Sequence, residues 1–183
     1  MEPVEPLEPM PRPSSADYAP FYETYVSLVP ETDILAVLHR QPEELRSLAA
    51  TVTPDSESYR YAPGKWSIRE VLGHVGDGER VFGYRAFCIS RGERADLPAF
   101  DEKEYTASSP FERCELPELV DEWAALRASN LTVLRRLTPE QWDRIGTANH
   151  ASISVRALAF ILAGHLRHHV GILRSRYGVG AAG

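Results

Sequence analysis

The chain has little of what staples, spans or grips polyanions. Its 183 residues include two cysteines, Cys88 and Cys114, which form neither a CxxC pair nor a framework. That excludes a disulfide-stapled scaffold, and a reduced, cytoplasmic protein is the expectation. No run approaches the roughly 18 apolar residues needed to span a bilayer. The N-terminus lacks the basic-then-apolar order of a signal peptide, so no membrane association is expected. Twenty basic residues against twenty-six acidic ones give a formal net charge of −6 and a pI near 5.5. Nucleic acids and anionic membranes are held mostly by Lys and Arg, so neither is expected as the main partner. No internal repeat and no alternating strand is legible. With 43% hydrophobic and 25% charged residues, what remains is an acidic single domain with enough apolar material for one core.

Residues 1–20 stand apart: Pro3, Pro6, Pro9, Pro11, Pro13 and Pro20 punctuate them. Proline fixes φ and removes donors, so a disordered tail is expected there, followed by one domain over 21–180. Helical signals then follow one another. Asp33 caps a run carrying Ile34, Val37, Leu38, Leu45 and Leu48. Pro42 interrupts that run and either kinks one helix or opens a second. Ser67-Ile68-Arg69-Glu70 is a capping box for a long helix from Ile68 to about Arg91, stopped by Gly92. Residues 92–114 are polar and proline-dotted, a connection long enough to suggest a functional role. A third helix starts near Pro117, with Leu119, Trp123, Leu126, Leu131, Leu134 and Leu137 at helical spacing. Thr138-Pro139-Glu140-Gln141 is a second capping box, opening a short turn around Trp142. The last helix runs from about Ser154 to Tyr177, ended by Gly178. The fold class is therefore all-α, a four-helix bundle whose long connection serves as a crossover.

Six histidines carry the chemistry, three of them in telling places. On the last helix, His165 and His169 lie one turn apart within the stripe of Leu158, Ile161, Leu162, Ile172 and Leu173. Both imidazoles therefore point inward. His74 shares the inner side of its helix with Val71 and Val75, and Gly78 follows one turn later. Each helix-interior glycine costs about 1 kcal/mol relative to alanine, so Gly73, Gly76, Gly78 and Gly83 need a reason; Gly78 is best placed to open space beside His74. Three imidazoles from two helices make a three-nitrogen site with an open position, as in catalytic zinc, and nickel, iron or cobalt suit it equally. Satisfied core histidines are the alternative. His168 points to a flank, and His39 and His150 read as surface residues. Asp77 either orients His74 or is a solvated charge. Arg85 is either an anion hook in a pocket or a rim residue with its head in water. Cys88 reads as a small core residue.

The run from Tyr59 to His74, RYAPGKWSIREVLGH within it, continues through Asp77, Glu79-Arg80 and Tyr84-Arg85. It closely resembles the first signature of the DinB-like family, the DinB/YfiT-like metalloenzymes. Ser154-Val155-Arg156-Ala157-Leu158 through Gly164-His165 to His168-His169 is similar to the second. Pro98 to Asp101 and Glu122 to Arg127 also fit, so the likeness covers about Tyr22 to Tyr177. The resemblance implies a four-helix bundle with one crossover, a homodimer, and a divalent metal, nickel or zinc, held by His74, His165 and His169. Pro42 departs from the family pattern, and the proline-rich tail has no counterpart in it.

Family likeness alone does not fix a reaction. Relatives implied by the resemblance include S-transferases that use bacillithiol or mycothiol and a mycothiol-dependent maleylpyruvate isomerase. The leading expectation is a metal-dependent transferase acting on a small-molecule substrate through a low-molecular-weight thiol, with Arg85 anchoring an anionic part. The first alternative is a hydrolase using metal-bound water, for which Asp77 is the one nearby base in the sequence. The second is a non-catalytic metal-binding stress protein.

Overall fold

The structure is a computed structural model and describes residues 11–180. A short helix α1 (Glu23–Val26) precedes α2 (Ile34–Ala49), which starts where the Asp33 carboxylate accepts from the Ala36 amide at 2.9 Å. α3 (Ile68–Ser90) starts at the expected capping box: Ser67 Oγ accepts from Glu70 N at 3.2 Å, and the Glu70 carboxylate accepts from Ser67 N at 2.7 Å. The crossover carries β1 (Asp96–Leu97) and α4 (Glu102–Ser108). Then come α5 (Leu116–Leu134), α6 (Pro139–Trp142), a hairpin of β2 (Ile145–Ala148) and β3 (Ala151–Ser154), and α7 (Val155–Tyr177). Gly178, at φ 71°, ends α7 in the left-handed region that glycine adopts without strain. α3 packs against both α5 and α7, and α2 closes the bundle against the same two helices. Among the described residues no helix is long and apolar enough to cross a membrane.

One alternative left open by the sequence is decided, and two expectations change. Pro42 lies inside one continuous helix rather than opening a second. It leaves the Leu38 carbonyl without its intrahelical donor, and Arg127 Nη1 reaches that oxygen at 3.4 Å. Second, a small sheet exists in the order β1-β2-β3, with β1 parallel to β2. Its strands of two to four residues are too short to alternate legibly. The Asn149-His150 turn, with φ of 50° and 60°, is the two-residue left-handed kind that suits a hairpin. Third, residues 11–20 of the expected tail pack onto the bundle; residues 1–10 lie outside the described residues. Tyr18 is buried, Ser154 N donates to Asp17 O at 2.9 Å, and the Arg12 guanidinium stands 5.5 Å from the Phe160 ring.

The core is split by a polar layer. One apolar cluster holds Leu38, Phe82, Leu131 and Phe160; the other holds Leu45, Val75, Trp123 and Leu166. Between them, Arg127 (0% exposed) and Glu79 (2% exposed) form a bidentate pair at 2.8 and 2.8 Å. Arg127 also donates to Gln41 Oε1 and to the Leu162 carbonyl, the latter at 3.1 Å. Gln41 Nε2 donates to Ala163 O at 2.9 Å. One layer thereby ties α2, α3, α5 and α7.

Removing one partner of a buried pair strands the other charge. Arg127→Ala is expected to lower stability by about 3–5 kcal/mol in urea denaturation, far more than an exposed Arg→Ala. At the surface, Arg167 donates to both Glu31 carboxylate oxygens at 2.7 and 2.6 Å. Those hydrogen bonds hold the Glu31 carboxyl down to about 2 from its ordinary 4.5. The unfolded chain therefore binds a proton here before the folded one does. The contribution is complete above pH 4.5 and is lost as pH falls toward 2. Melting curves of Glu31→Gln should accordingly lose part of the acid dependence of the wild type in that window and match its slope near neutrality.

Candidate metal centre

α3 and α7 face each other along the bundle, and their inward stripes bring His74, His165 and His169 together. His74 Nε2 lies 3.0 Å from His165 Nε2 and 3.1 Å from His169 Nε2. One nitrogen from each ring falls within 4.8 Å of the others, and all three side chains are buried. Gly78 makes this possible: a Cβ there would stand 2.4 Å from His165 Cε1 and 2.8 Å from its Nδ1. Gly73 and Gly83 likewise leave room, for Phe111 and Asn130 respectively.

Electrostatics keep the rings neutral. Burial lowers the His74 pKa to about 4 from 6.5, and His168 adds to that. His165 and His169 are pushed well below the ordinary value, chiefly by burial and then by neighbouring imidazoles. Neutral imidazoles crowded nitrogen to nitrogen form a donor set for a cation. Ligand nitrogens about 2.0–2.1 Å from one ion lie roughly 3.0–3.4 Å apart, so the two closest spacings fit. The set of three suits a divalent metal. Aromatic rings enclose it: Trp66 lies 4.8 Å from His74 between centroids, Phe100 stacks on His74 at 6.1 Å, and Tyr25 and Phe82 meet His165 edge-on at 5.3 and 5.4 Å.

The other expected residues divide. Asp77 is half-buried, and burial raises its carboxyl pKa. It does not orient His74, whose Nδ1 is buried without a hydrogen-bond partner. Arg85 is 3% exposed, so it is not a rim residue; it lines a cleft with His74 and His165. His168 lies on the flank, its ring edge-on to Tyr25 and His169. His39 is exposed and accepts from Arg135, and His150 is exposed in the hairpin turn. Cys88 is partly buried against the core.

The sequence reading missed Glu102. It opens α4 in the crossover, where Asp101 caps the helix, and its Oε2 lies 4.0 Å from His74 Nε2. It also passed over Tyr18, Phe21, Tyr22 and Tyr25, whose spacing is itself helical; Phe21 and Tyr25 line both clefts beside the triad.

The DinB superfamily profile matches residues 38–173, and the chain belongs to that superfamily. A curated protein of Oceanobacillus iheyensis, provisionally named a metal-dependent hydrolase, is 26% identical over 150 residues, 78% of this chain and 86% of that protein. YfiT from Bacillus subtilis, described as a probable metal-dependent hydrolase with an unusual four-helix bundle topology, superposes with a TM-score of 0.67. It is 21% identical, covering 80% of this chain and 87% of YfiT. The mycothiol-dependent maleylpyruvate isomerase superposes with a TM-score of 0.65 at 12% identity, covering 86% of this chain and 64% of that one. The DinB-like protein YjoA of Bacillus subtilis gives 0.54 at 25% identity, over 76% of this chain and 85% of YjoA. At these identities the superpositions establish the four-helix DinB-like fold.

The Gly78 contact makes a sharp prediction. Gly78→Ala should keep or raise helical content, because alanine is the better helix former. It should also weaken zinc or nickel binding by about 10–100-fold, the scale of displaced ligand orientation. Competition against a colorimetric chelator measures this; unchanged affinity would show that the space left at Gly78 is not needed for metal binding.

Proposed function

We propose that this chain is a metal-dependent enzyme that brings two small molecules together at the triad, one of them a low-molecular-weight thiol. The observation that carries this reading is a pair of clefts meeting there. One, of about 420 Å³, reaches His169 past Tyr61, Lys65, Trp66 and Tyr177. The other, of about 390 Å³, reaches His74 and His165 past Phe82, Arg85 and Phe100. The two share Phe21, Tyr25 and Glu102 as their common wall. Hydrolysis needs one organic substrate and water, whereas transfer needs room for two organic partners.

A divalent ion held by His74, His165 and His169 would lower the pKa of a thiol or water bound to it, supplying a nucleophile at neutral pH. The chain's own groups then have defined tasks. Glu102 Oε2, beside His74 Nε2, takes the proton that the nucleophile loses. At 48% side-chain exposure Glu102 can pass that proton to solvent. Tyr25 stays a protonated phenol, its pKa raised to about 12 by burial and by the Glu102 charge. It can therefore donate to negative charge developing in either cleft. Trp66, Phe82 and Phe100 limit water around the reacting atoms.

Hydrolysis is the second reading, favoured by the same carboxylate: Glu102, 4.0 Å from His74 Nε2, is placed to serve as its base, whereas Asp77 on α3 makes no hydrogen bond to a triad imidazole. The names carried by the Oceanobacillus protein and YfiT point the same way.

The test compares metal-loaded and metal-free protein with several cellular thiols and a chromogenic electrophile, beside ester and amide substrates without thiol. Transfer is supported by a thiol-dependent rate that needs the metal, and overturned by a metal-dependent rate indifferent to thiol. Glu102→Gln should lower kcat by about 10²–10⁴-fold while bound metal stays stoichiometric. An undiminished kcat would remove Glu102 from the proton path.

A further inference from the structure

Arg85 poses a physical problem that the metal centre does not solve. Its guanidinium is buried, yet among the described residues no carboxylate lies within ion-pair distance of it. Its partners are both neutral: Nη1 donates to Tyr22 Oη at 3.2 Å, and Nη2 donates to the Pro98 carbonyl at 2.7 Å. Phe82 adds a cation–π contact at 5.9 Å. Guanidinium carries five N–H donors, so three remain unused. Elsewhere in this molecule buried or half-buried arginines are neutralised: Arg127 by Glu79, Arg69 by Glu57, Arg167 by Glu31. Burying a cation without its counter-charge is strongly unfavourable unless something else supplies the charge.

The location says what that something is. Arg85 lines the cleft that holds His74 and His165. The Phe82 ring is close to both the guanidinium and the triad, its centroid 5.9 Å from Arg85 Cζ and 5.4 Å from the His165 centroid, which bounds how far apart they lie. A short molecule can therefore touch both. Tyr22 and Pro98 come from separate segments, before α1 and within the crossover, so the guanidinium is held from two sides. Fixed, planar and with spare donors, it presents the fork that the two oxygens of a carboxylate match. With the Glu102 carboxylate on the same cleft, a singly charged group is favoured over a doubly charged phosphate.

We propose that the Arg85 cleft binds the second substrate, and that this substrate is a short-chain carboxylate whose carboxyl group pairs with Arg85 while its reactive end lies at the triad. The proposal rests on the two-cleft reading above and assigns chemistry to one of the clefts. The thiol then enters from the opposite side, past Trp66 and Tyr177. Arg85 acts here as a substrate-binding residue and moves no proton.

The test is binding, read by titration calorimetry on the zinc-loaded and the metal-free protein, so that it does not depend on turnover. Butyrate and succinate are compared with butyramide and succinamide, which have the same shape without the charge, and with inorganic phosphate. The wild type should bind each carboxylate about tenfold or more tightly than its amide, the scale of one charge-assisted hydrogen bond beyond a neutral one. Arg85→Gln should abolish that preference, Arg85→Lys should keep part of it, and both should bind zinc as the wild type does. Equal affinity for carboxylate and amide in the wild type would overturn the proposal without needing any variant to fold. So would a preference that survives in Arg85→Gln, or phosphate binding more tightly than either carboxylate. A carboxylate preference in protein that shows no thiol-dependent rate would leave the Arg85 site standing and remove the transferase reading alone.

Discussion

The arrangement of the bundle depends on one buried ion pair. Arg127 and Glu79 sit between two apolar clusters that would otherwise form a single core, and every hydrogen-bonding direction of the guanidinium finds an acceptor. Such a layer adds little net stability over a well-packed apolar one, because desolvation offsets most of the attraction. What it does add is register. The Leu38 carbonyl, freed by Pro42, and the Leu162 carbonyl on α7 are fixed points on two helices, and Glu79 is a fixed point on a third. Sliding α7 by one residue would leave Arg127 short of an acceptor in a place water does not reach. The same register sets the triad, since Leu162 lies three residues before His165 and Glu79 five residues after His74. Asn130 completes the layer by donating to Glu79 Oε1 at 2.8 Å, in the space that Gly83 leaves by lacking a Cβ.

This layer explains part of the electrostatics above it. Three imidazoles and a permanent cation share one desolvated interior, and Arg127 contributes to the depression of His165. Protons are thus unfavourable at the very nitrogens that a divalent ion would use. A metal competes with protons for those lone pairs, so an interior hostile to imidazolium favours occupation by metal at neutral pH. Burial is therefore part of what makes the set of three a donor set, rather than an incidental property of inward-facing residues.

How much of this the sequence discloses follows from the range of each interaction. Caps act over three or four residues and are fully legible: Asp33, Ser67 with Glu70, and Ser154 begin their helices where local pattern puts them. The inward positions of His74, His165 and His169 follow from period 3.6 alone, and their convergence follows once two such stripes face each other. What stays hidden depends on contacts across the chain. Nothing local marks Arg127 on α5 as buried; that follows only from Glu79 and Gln41 around it. Asp77 is three residues from His74 in sequence yet makes no hydrogen bond to its imidazole, whereas Glu102, far along the chain, stands beside it. The small sheet escapes notice because β1 has two residues and gains its partner from a segment 51 residues later, Asp96 pairing with Thr147. The packed part of the proline-rich segment escapes for the opposite reason: proline content outweighed the helical spacing of Tyr18, Phe21, Tyr22 and Tyr25.

The crossover and the N-terminal segment share one consequence. The four bundle helices supply the nitrogen set and the polar layer beneath it. Much of what encloses this set comes from outside them: Glu102 and Phe100 from the crossover, Phe21, Tyr22 and Tyr25 from the N-terminal segment, and Trp66 from the loop before α3, beside Phe82 from α3 itself. Phe21, Tyr25 and Glu102 stand where the two clefts meet, so changes in these segments alter what reaches the triad without altering the triad. Arg85, like Phe82 a bundle residue facing a cleft, is held by one contact from the N-terminal segment and one from the crossover. A frame that fixes the three imidazoles and leaves access to short, locally anchored segments can keep one donor set while the molecules admitted to it change, so the fold by itself does not imply a reaction.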